Sequence, residues 1–308
     1  MTTITVGSRG SQLARTQAEG IIARLQSAHP GLNVTHQIVS TQGDRDRVTN
    51  LRALGATGVF TKDLEIALFK HEIDLAIHSL KDVPTALPDG MTLDAVPERE
   101  ELRDALCGAR LNDLKPGARV GTGSPRRQAQ LLYLRPDLEL VPLRGNVPTR
   151  LDRLTGEDRL DAVLLAGAGL NRLGLSHRIA ELLPLEQFPP SPAQGALGLE
   201  RRAEDGTLHE LLTVLDDPAA SLPVRAERAL LNELHGGCSV PVGAYGILHQ
   251  DILTLHAQVT ALDGSRAVVL TLSGNVRHPD QTPERLGREL ARQLKEAGAS
   301  EIIGTLGR

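Results

Sequence analysis

The residues Ile73-Asp74-Leu75-Ala76-Ile77 form an apolar run fit for a strand buried in a parallel sheet. They open at once onto the polar turn His78-Ser79-Leu80-Lys81-Asp82-Val83-Pro84. A strand hidden on both faces needs helices covering its sheet, which restricts the chain to α/β architecture. The neighbouring residues agree. Residues 4–6 form a short strand leading into Gly7-Ser8-Arg9-Gly10-Ser11. Leu13, Ala14, Gln17, Ala18, Ile21, Ile22 and Leu25 then follow helical spacing, Val34, His36 and Ile38 alternate, and Leu64, Ala67 and Leu68 share one face of a helix starting near Thr61.

A second unit of the same kind begins after the charged segment 98–103, with strands expected at 119–121, 138–143 and 160–166. Two α/β lobes in series predict a cleft, because ligands of open α/β sheets bind beyond the carboxyl ends of the strands. The proline-rich stretch Phe188-Pro189-Pro190-Ser191-Pro192 reads as a stiff connector. From Leu222 the pattern changes to a small α+β domain. It has strands around Tyr245, 253–255 and 268–270, a hairpin turn at Asp263-Gly264, and a last helix over 283–295.

Composition narrows the function classes. The 308 residues are 40% hydrophobic and 23% charged, ordinary for a globular protein. Aromatics make up 2% with no tryptophan, which argues against stacking platforms for nucleic acid. No apolar run approaches the ~20 residues that span a bilayer, so no membrane role is expected. The N-terminus enters a strand pattern rather than a signal peptide, and two distant cysteines suggest no disulfide framework, which together point to the cytoplasm. There is no P-loop, no zinc-ligand spacing and no G-x-S-x-G elbow, so no metal is expected. The formal charge of −4 hints at no anionic partner, yet arginines recur beside turn residues at strand ends.

The placement of those arginines carries the chemistry. In Gly121-Thr122-Gly123-Ser124-Pro125-Arg126-Arg127, Ser124 can cap a helix that Pro125 starts, aiming free N–H groups and the positive dipole end at an anion. Leu143-Arg144-Gly145-Asn146, Thr149-Arg150 and Gly169-Leu170-Asn171-Arg172 repeat the theme, and Arg9 with Ser11 supplies it in the first lobe. Each alone suits a solvated charge; together they favour a strongly anionic ligand. Asp82, at a strand end next to Lys81, is the candidate to stabilise a cation or shuttle a proton, against the plain alternative of a turn-forming aspartate. Cys238 follows Gly236 and Gly237 at a helix end and is placed for covalent chemistry, whereas Cys107 lies in an apolar stretch and reads as buried.

These stretches, with Gly58-Val59-Phe60-Thr61-Lys62 and Gln194-Gly195-Ala196, resemble the porphobilinogen deaminase family over nearly the whole chain. The resemblance implies two lobes like type II periplasmic binding proteins and a third, α+β domain. Domain 1 would take 1–96 and 196–216, domain 2 would take 101–191, and domain 3 would take 219–308. It implies a transferase of tetrapyrrole biosynthesis, with a dipyrromethane cofactor joined to Cys238 by a thioether. Four porphobilinogen molecules would be condensed head to tail with loss of ammonia, and hydroxymethylbilane released by hydrolysis. Asp82 would be catalytic, offsetting the charge of the electron-poor azafulvene left when ammonia departs. Ser79, Lys81, Asp82, Thr122, Ser124, Arg126, Arg127, Arg144, Gly145, Arg150 and Gln194 would bind cofactor. Arg9, Ser11, Gln17, Phe60, Arg144, Arg150 and Arg172 would hold substrate or the growing chain. Because each pyrrole carries an acetate and a propionate, the arginines gain a purpose. Thr57 stands where many relatives have a lysine, Pro125 where they often have leucine, and a monomer is expected. Two rival classes remain: a non-catalytic binding protein for a small anion, and a cysteine-nucleophile transferase without a pyrrole cofactor.

Overall fold

The strand–helix alternation is realised in two separate sheets. The structure, a computed structural model, describes residues 2–41, 43, 58–234 and 240–304. The chain divides into two compact units, one of Met1–Glu100 with Gly195–Ser221 and the other of Glu101–Gln194 with Leu222–Arg308.

The first unit is built from β1 (Thr3–Arg9), α1 (Gln12–Ala28), β2 (Asn33–Val39), α2 (Lys62–Phe69), β3 (Leu75–Ser79), β4 (Met91–Ala95), and, from further along the chain, β10 (Leu197–Arg202) and α6 (Gly206–Leu212). Its sheet order is β2-β1-β3-β10-β4. β1 runs parallel to β2 and β3, while β10 is antiparallel to both β3 and β4. Ile4, Val6, Ile21, Leu25, Ile77 and Leu199 fill one face and Leu64, Leu68, Ile73 and Ala76 the other. The apolar run of 73–77 is displaced from the strand it predicts. Ile73 precedes β3, because the Asp74 carboxylate accepts the Thr5 N–H at 2.8 Å and so anchors the strand's entry. β3 instead continues through His78 and Ser79, and Lys81 and Asp82 fall in a single 3₁₀ turn.

The second unit begins with β5 (Asp104–Cys107), β6 (Arg119–Gly121), α3 (Pro125–Leu134), β7 (Glu139–Val141), α4 (Val147–Leu151), β8 (Ala162–Ala166), α5 (Gly167–Arg172) and β9 (Ile179–Leu182). Its sheet order, β7-β6-β8-β5-β9, repeats that of the first: a parallel trio, then an antiparallel strand, then an edge. This doubled arrangement gives the two α/β lobes expected from the sequence. The stretch 188–192 is more than a connector. Phe188, Pro189 and Pro190 are buried, the Pro189 carbonyl accepts from Arg126 and Gln130, and the Pro190 carbonyl accepts the Ala244 N–H.

The same unit holds α7 (Pro218–Glu233, from Leu222 onward), β11 (Val242–His249), β12 (Ile252–Thr260), β13 (Ala267–Asn275), α8 (Pro283–Leu294) and α9 (Ser300–Gly304). The three strands form an antiparallel sheet with its own core of Leu230, Val242, Leu255, Val259 and Leu290. Asp263 accepts from the Ser265 N–H at 3.0 Å and Gly264 takes φ +72°, so the expected hairpin turn is present. Buried Glu227 of α7 ties this sheet to the preceding segment, accepting the Ala193 N–H at 2.6 Å and the Gly246 N–H at 2.8 Å.

Gly287 lets α8 lie against α7, since a Cβ there would strike the Ala226 carbonyl oxygen and the Leu230 backbone nitrogen. Gly287→Ala is expected to cost about 1–3 kcal/mol through overpacking. Urea unfolding should show this as a lower midpoint at unchanged slope; an unchanged midpoint would mean the helices separate freely.

Candidate functional site

In the first unit, the ends of β1 and β3 gather a pocket lined by Arg9, Ser11, Leu13, Ala14, Gln17, Phe60, Thr61, Ile77, His78, Ser79 and Asp82. Local chemistry fixes each member. Ser11 has extended backbone and its hydroxyl accepts the Ala14 N–H at 3.3 Å, so it caps α1 at the pocket rim. Gln17 lies one and a half turns further along α1, buried, and its side-chain amide exchanges hydrogen bonds with the Ser79 hydroxyl at 3.1 and 3.2 Å. The Arg9 guanidinium stands 4.1 Å from the centre of the Phe60 ring, a cation–π contact that holds it in place. Asp82 is half-buried on the turn after β3, beside half-buried Lys81. Six residues singled out in the sequence, Arg9, Ser11, Gln17, Phe60, Ser79 and Asp82, therefore meet in one place.

In the second unit the strand-end motifs form as their spacing predicts. Ser124 caps α3, accepting the Arg127 N–H at 3.4 Å, and Pro125 occupies the first turn. Buried Thr122 accepts the Ser124 N–H at 3.3 Å. Gly123 has no alternative, because a Cβ there would run into the Leu143 carbonyl oxygen. Asn146 caps α4, and Gly145 takes φ +101° between it and Arg144. Arg150 folds back so that its Nε donates to the Gly145 carbonyl at 2.9 Å, and Arg172 is half-buried at the end of α5.

Arg126 and Arg127, read from the sequence as cofactor binders, also have an internal partner. Both are buried and converge on Asp104, which is 0% exposed. Arg126 Nη2 reaches Asp104 Oδ2 at 2.7 Å, and Arg127 donates through Nη2 and Nε to Oδ1 at 2.6 and 3.0 Å. Gln194, also buried, adds Nε2 to Oδ1 at 2.9 Å and a second bond to the Leu102 carbonyl at 2.7 Å. Three residues read as cofactor binders thus share an internal carboxylate. Two guanidinium groups on one carboxylate leave a single positive charge uncompensated within the group, and Arg126 Nε has no hydrogen-bond partner among the described residues. Burial alone would raise the Asp104 carboxyl, but Arg126, Arg127 and the hydrogen bonds override it and hold the carboxyl far below the usual range.

Sequence reading missed Asp104, and it also missed a buried pair at the first pocket. His78 Nε2 lies 2.9 Å from Glu200 Oε2, with both side chains almost fully buried. Spacing held no signal for either, since the partners lie 22 and 122 residues apart.

Of the two cysteines, Cys107 is fully buried in β5, and burial pushes its thiol up to about 11, a poor nucleophile. Cys238, with His235, Gly236, Gly237 and Thr57, lies outside the described residues. Among the described residues no His/Cys/Asp/Glu group could hold a metal, and no helix is long and apolar enough to cross a membrane.

The family model described as porphobilinogen deaminase, dipyromethane cofactor binding domain, matches residues 4–210, and that of the porphobilinogen deaminase C-terminal domain matches 221–296. The protein named porphobilinogen deaminase from Geobacter metallireducens is 45% identical over 300 residues, covering 97% of this chain and 93% of its own. The protein of that name from Desulforudis audaxviator is 46% identical over 303 residues, covering 97% and 96%. Among solved structures, the methionine binding protein MetQ superposes with a TM-score of 0.44 at 14% identity, covering 69% of this chain and 89% of that one.

Asp104→Asn leaves two buried guanidinium groups without their counter-charge and is expected to cost about 3–5 kcal/mol. The sign with pH follows from the depressed carboxyl. Its contribution is complete above the ordinary value of 3.8 and is lost as pH falls below it. The stability gap between wild type and variant should therefore narrow in acid. Denaturant unfolding from neutral to strongly acid pH checks this, and a gap independent of pH would contradict the pairing.

Proposed function

The chain belongs to the porphobilinogen deaminase family, and from that premise we propose how its residues divide the work. The protein is a transferase of tetrapyrrole biosynthesis that condenses four porphobilinogen molecules head to tail and releases hydroxymethylbilane by hydrolysis. In each condensation the bond from the aminomethyl carbon to nitrogen breaks and ammonia takes the electron pair. A carbon–carbon bond replaces it and the attacked ring gives up its α-proton, with no oxidant or reductant needed.

The observation that carries the assignment of roles is the pocket that unites Asp82 with Arg9, Ser11, Gln17, Phe60 and Ser79. Asp82 accepts hydrogen bonds from pyrrole N–H groups and offsets the positive charge that builds as ammonia leaves. Arg9, steadied by Phe60, binds a substrate carboxylate, and the Gln17–Ser79 pair offers donors and acceptors beside it. In the second unit Thr122, Ser124, Arg144, Gly145, Arg150 and Arg172 take the carboxylates of cofactor and growing chain. Arg126, Arg127 and Gln194 serve that site largely from within, by fixing the start of α3 and leaving one positive charge there.

The residues suit a dipyrromethane joined through sulfur. Cys107 is buried with a reluctant thiol, which leaves Cys238 as the attachment point of the two cysteines in the chain. When bound, the group supplies the pyrrole carbon onto which the first substrate is added. Its acetates and propionates need donors of the kind that Lys81 and Ser79 offer in the first unit. The division into domain 1 (1–96 and 196–216), domain 2 (101–191) and domain 3 (219–308) goes with this reading, as do a monomeric state and a cytoplasmic location. The three separate sheets support the first, and two unpaired-in-sequence cysteines fit the last.

Intact mass of the purified protein, with and without porphobilinogen, tests the function. The expected result is an excess equal to a dipyrromethane, mapped to the Cys238 peptide and absent in Cys238→Ser, with a ladder of added pyrroles on incubation. An unmodified mass with no ladder and no ammonia release would turn the reading to a non-catalytic anion-binding protein. Asp82→Asn should load the cofactor normally yet lose about 10²–10³ in kcat. A variant turning over at the wild-type rate would remove Asp82 from the mechanism.

A further inference from the structure

The Arg9–Phe60 contact rests on a residue outside the pocket lining. Gly43 donates its backbone N–H to the Val59 carbonyl at 3.1 Å, which holds it against the residue next to Phe60. A Cβ built on Gly43 would overlap Cδ1, Cε1 and Cζ of the Phe60 ring, each closer than 3.0 Å. The ring therefore lies directly over a bare α-carbon.

This glycine is not there for its backbone. Its φ lies outside the left-handed region, so its conformation bars no side chain. At Gly123 and Gly287 the nearest obstacle to a Cβ is a backbone carbonyl oxygen, whereas at Gly43 the three nearest atoms all belong to one aromatic ring. The backbone that carries this ring is fixed. The Gly58 carbonyl accepts the Thr61 and Lys62 N–H groups at 3.1 and 2.9 Å, closing the turn that opens α2. Phe60 itself is half-buried, so a methyl group at position 43 displaces the ring about its own χ angles rather than the chain beneath it. That displacement has a definite consequence. The Arg9 guanidinium stands 4.1 Å from the ring centre, and a cation is held only while it stays over the ring face.

We propose that Gly43 is a positioning residue for the substrate: by lacking a side chain it seats the Phe60 ring, which places the Arg9 guanidinium for a carboxylate of porphobilinogen. The proposal rests on the role given to Arg9 above. Gly43 acts through the ring and not on the reacting atoms, so its effect falls on KM rather than on kcat. Arg9 has contacts besides Phe60, so the loss on substitution is partial.

Two measurements test this in the holoenzyme. The chain has three phenylalanines, so protein labelled with 4-fluorophenylalanine gives a simple fluorine NMR spectrum. The Phe60 resonance, identified by its loss in Phe60→Ala, should move in Gly43→Ala, while those of Phe69 and Phe188 stay in place. The KM for porphobilinogen should rise roughly two- to fivefold in Gly43→Ala, with kcat retained. With Phe60→Ala as the background, Gly43→Ala should add nothing to KM, because no ring remains to displace. An unmoved Phe60 resonance overturns the seat. A moved resonance with wild-type KM, or effects on KM that add in the double variant, overturns its hold on the substrate. Should Gly43→Ala fold poorly, folding restored in the double variant supports the clash with the ring, and a double variant that still unfolds overturns it. If wild type consumes no porphobilinogen, the assigned activity fails instead, and the fluorine spectrum still decides whether the ring sits on Gly43.

Discussion

The Asp104 carboxylate, clasped by Arg126, Arg127 and Gln194, is the contact on which the second unit depends. It joins the first residue of β5, the first turn of α3 and the segment after the buried prolines, three stretches far apart in the chain. Arg126 extends the network to Gln130 and the Pro189 carbonyl, and Arg127 to the Leu164 carbonyl in β8. A charge group this deep is stable only when every member is present, which makes it a strict specification of one packing. The helix start it fixes is the one that Ser124 caps, and that we propose as an anion site.

The local grammar of the chain was legible before any coordinates. Ser124 and Pro125 mark the start of α3, Asp263-Gly264 marks a hairpin, and the spacing of Leu13 through Leu25 marks α1, all because the signals are carried by adjacent residues. In the Asp82 pocket, Arg9, Ser11 and Asp82 were legible from their places at strand ends, where α/β sheets put their ligand groups, whereas Gln17, Phe60 and Ser79 were legible only through the family resemblance. Asp104, Glu65, Glu200 and Glu227 were not legible. Sequence displays their charge but not their burial, and burial changes what a carboxylate does, from solvated surface group to internal anchor. The internal partner of Arg126 and Arg127 was hidden for the same reason, since a counter-ion 22 residues away looks no different in sequence from a surface aspartate.

The two units reach the same strand order from unlike sequences, and they place their polar motifs at corresponding positions. In each, the parallel trio ends in turns bearing arginine, serine or threonine, and the antiparallel fourth strand closes the sheet behind them. The antiparallel strand carries a buried acid in both cases, Glu200 in β10 and Asp104 in β5. In the first unit that acid meets a histidine; in the second it meets two arginines. The same strand position in the sheet order thus carries an acid paired with a histidine in one unit and an acid paired with two arginines in the other.

The position of β10 also dictates an order of assembly. β4 has one neighbour in its sheet, and that neighbour is β10, about a hundred residues downstream. A chain emerging from the ribosome can pair β1 with β2 and β3, but β4 must wait, unpaired, while the strands of the second sheet are made. Only when residues 197–202 arrive does β10 slot between β3 and β4, bringing Glu200 to His78 in the same movement. The nascent first lobe is therefore an incomplete sheet with an open edge for the length of an entire domain's synthesis, and the buried acid of its fourth strand is among the last parts to be installed.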